Sequence, residues 1–253
     1  MSDPVSVPFA SYDESIPQAL DQLGAREFLA KQDTVLLKPN LVIVSPHPVT
    51  SHPDMVAAMV EYVREAGAGK VVIGEGTGEA VRNTWDVFEA LGYTKLAKKL
   101  DVELIDLNEE ELVTRPTPNS SVFPEMHLPK IAFEACIVSL PVLKAHSLAV
   151  ITGTLKNMMG FAPPEHYSGV HGSWKKAVFH GRMQGALKDL NSHILPQLTV
   201  MDASVGLADY HLGGATCDPP VNKILAGYDP YKLDHEAARL LGIDPGCVSH
   251  LNP

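Results

Sequence analysis

The chain is poor in cysteine, in aromatic residues and in positive charge, and it has no long apolar run. Its three cysteines, Cys136, Cys217 and Cys247, are scattered over 253 residues and none stands in a CxxC pair. That excludes a disulfide framework, a cysteine zinc knuckle and a four-cysteine iron–sulfur cluster held within one chain, and it points to a reducing, cytoplasmic setting. No stretch approaches the roughly 20 apolar residues of a membrane span, so no membrane partner is expected. The opening MSDPVSVPFA shows neither a positive n-region nor an apolar h-region, so no secretory signal is expected. Twenty Lys+Arg face 30 Asp+Glu, a formal charge of −10. Nucleic acid, whose phosphates demand basic patches, is thereby excluded as a partner. A small anion is not, because a few lysines in one pocket reverse the field locally.

Several catalytic signatures are missing too. The Gly74-Glu75-Gly76-Thr77-Gly78 run has Glu79 where a dinucleotide fingerprint needs its third glycine. There is no P-loop and no GxSxG nucleophile elbow. Cys217 lies in a glycine-rich loop with His211 as its only histidine neighbour, too little to mark an activated thiol.

What is present is an ordinary globular composition, 45% hydrophobic, with proline in excess: 20 residues, about 8% against a typical ~5%. Length and hydropathy suit one α/β domain over 1–253 with a mostly parallel central sheet flanked by helices, and a small inserted subdomain. Residues 14–29 read as a helix, with Ser15 and Gln18 at capping-box spacing. Residues 34–38, KVVIGEG, 102–107, 136–144, 198–204 and 223–227 read as buried strands. Pro53 opens a helix in which Val56, Met59, Val60 and Val63 share a face. Further helices are expected over 84–99, 148–159 and 183–194, and after Asp229, which caps the last one. The polar, proline-rich stretch 108–130 reads as the insertion, and 160–180 as a lid-like loop.

In such sheets ligands bind beyond the carboxyl ends of the strands. The residues there are Lys38 and Asn40 after the first strand, and Glu75, Gly76 and Thr77 after the second. Lys144 and His146 follow the fourth, and Asp202 a later one. Lys144 and His146 are two apart and share a strand face; Thr152 and Lys156 are four apart and would share a helix face, with Gly153 permitting close approach. Lysines attract carboxylate or phosphate, and a desolvated lysine becomes a base; histidine exchanges protons near neutral pH. Lys144, His146, Lys156, Asp202 and Glu75 are therefore the catalytic candidates. Lys38, Asn40, Gly76, Thr77 and Thr152 are the ligand-binding ones. The sequence requires no cofactor. A metal is conceivable on His166, His171 and His180, although their spacing matches no standard ligand motif. His47 and His52, flanked by prolines, read as turn and cap residues.

The ordered segments VLLKPNLV, GAGKVVIGEGTG, VELIDL, CIVSLPVLKAHSLAVITGTLKNMMG, LTVMDAS and ILAGYDPYKLDHEAARLLG resemble the domain of unknown function 362 family over about residues 33–250. The resemblance implies an α/β fold and carries Lys38, Asn40, Lys144, His146, Lys156, Asn157, His180, Asp202, Asp229 and Asp234 into the site. Many members of that family bear an appended ferredoxin-like module with two CxxCxxCxxxCP runs, which this chain lacks. Three readings follow. The first is an enzyme moving protons on a small anionic metabolite (isomerisation, racemisation or elimination), His146 being the acid/base and Glu75 or Asp202 its partner. The second is a redox or metal-associated protein working with a separate ferredoxin or bridging a cluster between subunits. The third is a non-catalytic binding module. The sequence leaves a homodimer open.

Overall fold

The structure, a computed structural model, describes residues 3–169 and 174–252. Among them, nine strands form one mixed, mostly parallel sheet. They are β1 (Val5–Pro8), β2 (Thr34–Pro39), β3 (Lys70–Glu75), β4 (Glu103–Asp106), β7 (Cys136–Leu140), β8 (Val142–His146), β9 (Val150–Thr152), β10 (Leu198–Leu207) and β11 (Lys223–Gly227). The segment 108–130 holds β5 (Leu112–Pro116) and β6 (Glu125–Pro129), which pair antiparallel as a separate ribbon. The helices are α1 (Tyr12–Leu23), α2 (Ala25–Leu29), α3 (Pro53–Glu65), α4 (Thr84–Ala90), α5 (Tyr93–Leu100), α6 (Ile131–Glu134), α7 (Thr154–Asn157), α8 (Pro164–Tyr167), α9 (Met183–Asn191) and α10 (Pro230–Leu240). None is long and apolar enough to cross a membrane.

The main sheet runs β1-β11-β10-β7-β2-β3-β4. From β2 the chain steps outward to β3 and β4, then returns to lay β7 on the other side of β2 and β10 beside β7. The winding direction therefore reverses between β2 and β7, where strand carboxyl ends leave a crevice. Strand alternation feeds two cores. Val35, Leu37, Val71, Ile73, Val138 and Leu140 pack against α1–α5, while Leu36, Val72, Ile105 and Ile137 face α9, the hairpin and the segment around Met158–Phe161.

Four expected elements turn out divided or shifted, each for a local reason. The helix over 14–29 breaks at Gly24, whose φ of 71° ends α1 in the left-handed conformation. Its N-cap is Ser11, accepting from Glu14 N; Ser15 is buried within the first turn and donates to Pro8 O. Gly92, φ 81°, likewise splits 84–99 into α4 and α5. The run 136–144 is two strands. Pro141 has no N–H for a ladder, and beyond it β8 leaves the neighbourhood of β2 to pair with β10 and β9. The expected helix over 148–159 is instead the antiparallel β8–β9 turn followed by the four residues of α7. Thr152 thus lies on a strand opposite Lys144, and Leu148 is exposed at the turn. Val150 takes a φ of 72°, a region β-branched residues avoid, so the turn is strained.

Asp202 is a correction to the expected site. It shares its face of β10 with Val200 and points towards α1. There Oδ2 accepts from Tyr12 Oη at 2.6 Å and lies 3.0 Å from His47 Nε2, and Oδ1 accepts from Ser204 N at 2.8 Å. Burial alone would raise its pKa; the contacts with His47, Tyr12 and Ser204 win and hold it below the usual carboxylate value. Asp202 therefore staples α1 and the 41–52 loop to the sheet. His52 caps α3 by accepting from Asp54 N. Asp202→Asn is expected to cost about 1.5–3 kcal/mol in urea unfolding near neutral pH, the range for hydrogen bonds to a charged group. The depressed folded value makes this contribution complete above the unfolded pKa of about 4 and lost as pH falls through the folded one. The variant's deficit should accordingly shrink on acidification.

Candidate functional site

The crevice holds a cavity of about 230 Å³. Ten of the sequence candidates line it: Lys38, Asn40, Glu75, Gly76, Lys144, His146, Thr152, Lys156, Asn157 and His180. Its floor is hydrogen-bonded throughout. Lys38 is wholly buried and donates to Glu75 Oε1 at 2.9 Å, Asn157 Oδ1 at 3.2 Å and Pro39 O at 3.1 Å. Glu75 also accepts from Gly76 N and, through Oε2, from Leu41 N. Asn157 ties α7 to two strands, its amide donating to Lys38 O and Ser139 Oγ while its oxygen takes Lys38 Nζ and Asn40 Nδ2. Gly160 is required here, because a Cβ would overlap the Glu75 carboxylate and the Lys38 side chain.

Glu75 therefore serves Lys38 and does not reach His146 as a partner base. Thr77 does not reach the cavity either. It is fully buried, donating to Val42 O and accepting from Glu79 N. The glycine loop is no open anion nest, since Gly76 N, Thr77 N and Glu79 N are all taken by side chains of the loop and of Thr84. Gly153 does admit a close approach, but by the Asp234 carboxylate. Asp234 accepts from Thr154 N at 2.6 Å and Leu155 N at 2.9 Å, which fixes the start of α7; burial pushes its pKa up to about 6. Asp229 caps α10.

His146 differs from expectation in its chemistry. Its Nδ1 accepts from Leu148 N at 3.0 Å and Ala149 N at 3.1 Å, which holds the β8–β9 turn. That nitrogen must present its lone pair, so the ring is neutral with its proton on Nε2. Burial, then the charges of Lys156 and its other neighbours, depresses its pKa far below the ordinary value. His146 is thus a hydrogen-bond donor and not a proton acceptor near neutral pH. His211 stacks on it at 3.7 Å, and its pKa is lowered to about 3 by burial and by Lys156.

Four lysines line the cavity among the described residues. Lys144 donates to Asn40 Oδ1 at 2.8 Å and Val49 O at 2.7 Å. Lys176 donates to Asn108 Oδ1 and to the carbonyls of Gly160 and Ala162. Neither has a carboxylate within ion-pair distance among the described residues. Lys156, at the end of α7, is half-buried, and its side-chain amine makes no hydrogen bond or ion pair among them. Burial lowers the pKa of Lys144 to about 7, of Lys176 to about 7 and of Lys156 to about 8; the Lys38 charge also acts on Lys156. Two buried polar atoms beside them have no hydrogen-bond partner among the described residues, Thr152 Oγ1 and His211 Nδ1.

Lys176, His211, Trp174 and Tyr210 belong to the cavity lining without having been picked out as ligand contacts in the sequence. Lys176 does carry a signal, because it stands between Trp174 and the apolar Ala177-Val178-Phe179 run. His166 stacks on His127 at 3.8 Å and is not part of the lining; His171 lies outside the described residues. Among the described residues no three His, Cys, Asp or Glu side chains are grouped so as to hold a metal, and Cys136 is buried while Cys217 is half-buried and Cys247 exposed.

The lysines set a pH dependence. Their folded pKa values lie below the ordinary 10.5, so between about pH 7 and 10 the unfolded chain binds more protons and stability rises with pH. Each fully titrating lysine contributes a slope of at most about 1.4 kcal/mol per pH unit. Urea unfolding at pH 7 and pH 9 should show greater stability at pH 9, with a smaller increase in Lys144→Met.

The fold has solved counterparts. The apoprotein of lactate racemase from Thermoanaerobacterium thermosaccharolyticum superposes with a TM-score of 0.57 at 15% identity, over 93% of this chain and 56% of that one. The chain thus spans little more than half the length of that protein. No curated protein matches it in sequence. The model of the family described as domain of unknown function 362 matches residues 35–239, four-fifths of the chain, and the chain belongs to that family.

Proposed function

We propose that the cavity binds a small metabolite bearing a carboxylate or phosphate and that its side chains move a proton on it, in an isomerisation, racemisation or elimination. The observation that carries this is Lys156, a cavity-lining ammonium group with no partner among the described residues. A lone charge in such surroundings is stabilised by an incoming anion. Three further donors are available to that anion. Lys144 as an ammonium keeps a third N–H, His146 offers Nε2–H, and the Thr152 hydroxyl is unspent.

The acid/base role passes from His146 to other groups. Lys156, with a pKa lowered to about 8, gains or loses a proton close to physiological pH. His180, which also lines the cavity and makes no hydrogen bond among the described residues, is the second proton carrier. The fold neighbour is by name a racemase of lactate, a small carboxylate, which is compatible with an anion site.

The test is ligand binding by calorimetry with phosphate, malonate and lactate. One or more should bind, and Lys156→Met should weaken that binding by about tenfold or more, the loss of one charge-assisted contact. Thr152→Val separates site from scaffold. It removes a buried hydroxyl that has no partner among the described residues, so stability should change by less than about 0.5 kcal/mol while anion affinity falls severalfold. Unchanged affinity in both variants would sink the assignment.

A further inference from the structure

The four cavity lysines are not equivalent, and the difference is one of commitment. Lys38 is tied to Glu75 and Asn157, Lys144 to Asn40 and Val49 O, and Lys176 to one side-chain oxygen and two carbonyls. Those amines donate N–H groups to protein oxygens. The Lys156 amine has no such acceptor among the described residues, and its backbone is rigidly placed. Asp234 holds the first two amides of α7, and Asn157, the next residue, is anchored to β2 and β7. An amine that is positioned, without a partner among the described residues and close to the Lys38 charge is arranged as a nucleophile.

We propose that Lys156 forms an imine with the carbonyl carbon of a small 2-oxo acid bound in the cavity. This rests on the anion-binding reading and assigns Lys156 the covalent role within it. The neutral amine adds to the carbonyl carbon to give a carbinolamine. The two amine protons then leave with the carbonyl oxygen as water, and a C=N bond remains. The substrate carboxylate lies against the donors of Lys144, Thr152 and His146. Imine formation acidifies the neighbouring C–H bond, and His180 is the group left to exchange that proton.

Burial supports the chemistry. With a pKa of about 8, Lys156 is neutral on the order of a hundredfold more often at pH 7.5 than an ordinary lysine. An exposed lysine such as Lys31, paired with Glu27 on the surface, is the internal reference.

The experiment incubates the full chain with pyruvate and sodium cyanoborohydride at pH 7.5. Hydride delivered to the imine carbon leaves a stable secondary amine, which peptide mass mapping locates. Malonate binding is measured in parallel by calorimetry. The expected result is an adduct on Lys156, formed at least about tenfold faster than on Lys31, slowed by excess malonate and absent in Lys156→Arg. Protection by malonate is read on the wild-type chain, so the test survives a variant that fails to fold. Malonate binding without an adduct, or labelling spread evenly over Lys144 and the surface lysines, overturns the imine and leaves the anion site standing. Neither binding nor labelling overturns both.

Discussion

The Lys38 ammonium group has no contact with water, and much of the site exists to keep it. Removing a charge from water is expensive unless it is paired and its hydrogen bonds are filled. Glu75 supplies the charge; Asn157 and Pro39 O supply the remaining acceptors. Each provider is then constrained in turn. Glu75 must turn back from the end of β3, which brings Gly160 so close that no side chain fits there. Asn157 must sit over β2 and β7, which fixes the position of α7 and, with it, of Lys156.

The second constraint is the departure of the chain at Pro141. Had β7 continued straight, its extension would have stayed beside β2. Instead β8 follows β10, and Lys144 reaches from it to Asn40 and Val49 O. The same departure creates the strained β8–β9 turn, held by the lone pair of His146 Nδ1. One imidazole thus has two duties. Its δ nitrogen maintains the backbone that carries Lys144 and Thr152, and its ε nitrogen carries the ring proton. The structural use removes the acid/base use that its residue type suggests, and the proposed reading gives that use to Lys156 and His180.

Much of the architecture was legible in the chain. Continuous apolar runs at residues 34–38 and 70–74 suit strands buried on both faces of a parallel sheet, and Pro53 and Asp229 open helices by plain local chemistry. Six of the eight residues that the strand-end rule collected line the cavity, and Thr152, Lys156, Asn157 and His180, reached from spacing and from the family resemblance, line it too. The exceptions are instructive. Asp202 lies on the right strand and the wrong face, and the parity of β10 becomes visible only once Val200 is seen in the α1 core. Thr77 lies in the right loop and faces inward. Thr152 and Lys156 share the cavity, but through a strand and a short helix in place of one helical face.

The residue types at the strand ends, the acidic overall balance of −10 and the α/β class follow from local pattern and composition along the chain. Which of those groups are engaged by the protein follows from how distant segments meet in the fold. A lysine's protonation, a histidine's tautomer and a carboxylate's partner depend on atoms brought together from distant parts of the chain, as Lys38, Glu75 and Asn157 are. Spacing along the chain carries no record of those encounters, and the chemistry of the cavity is set by them.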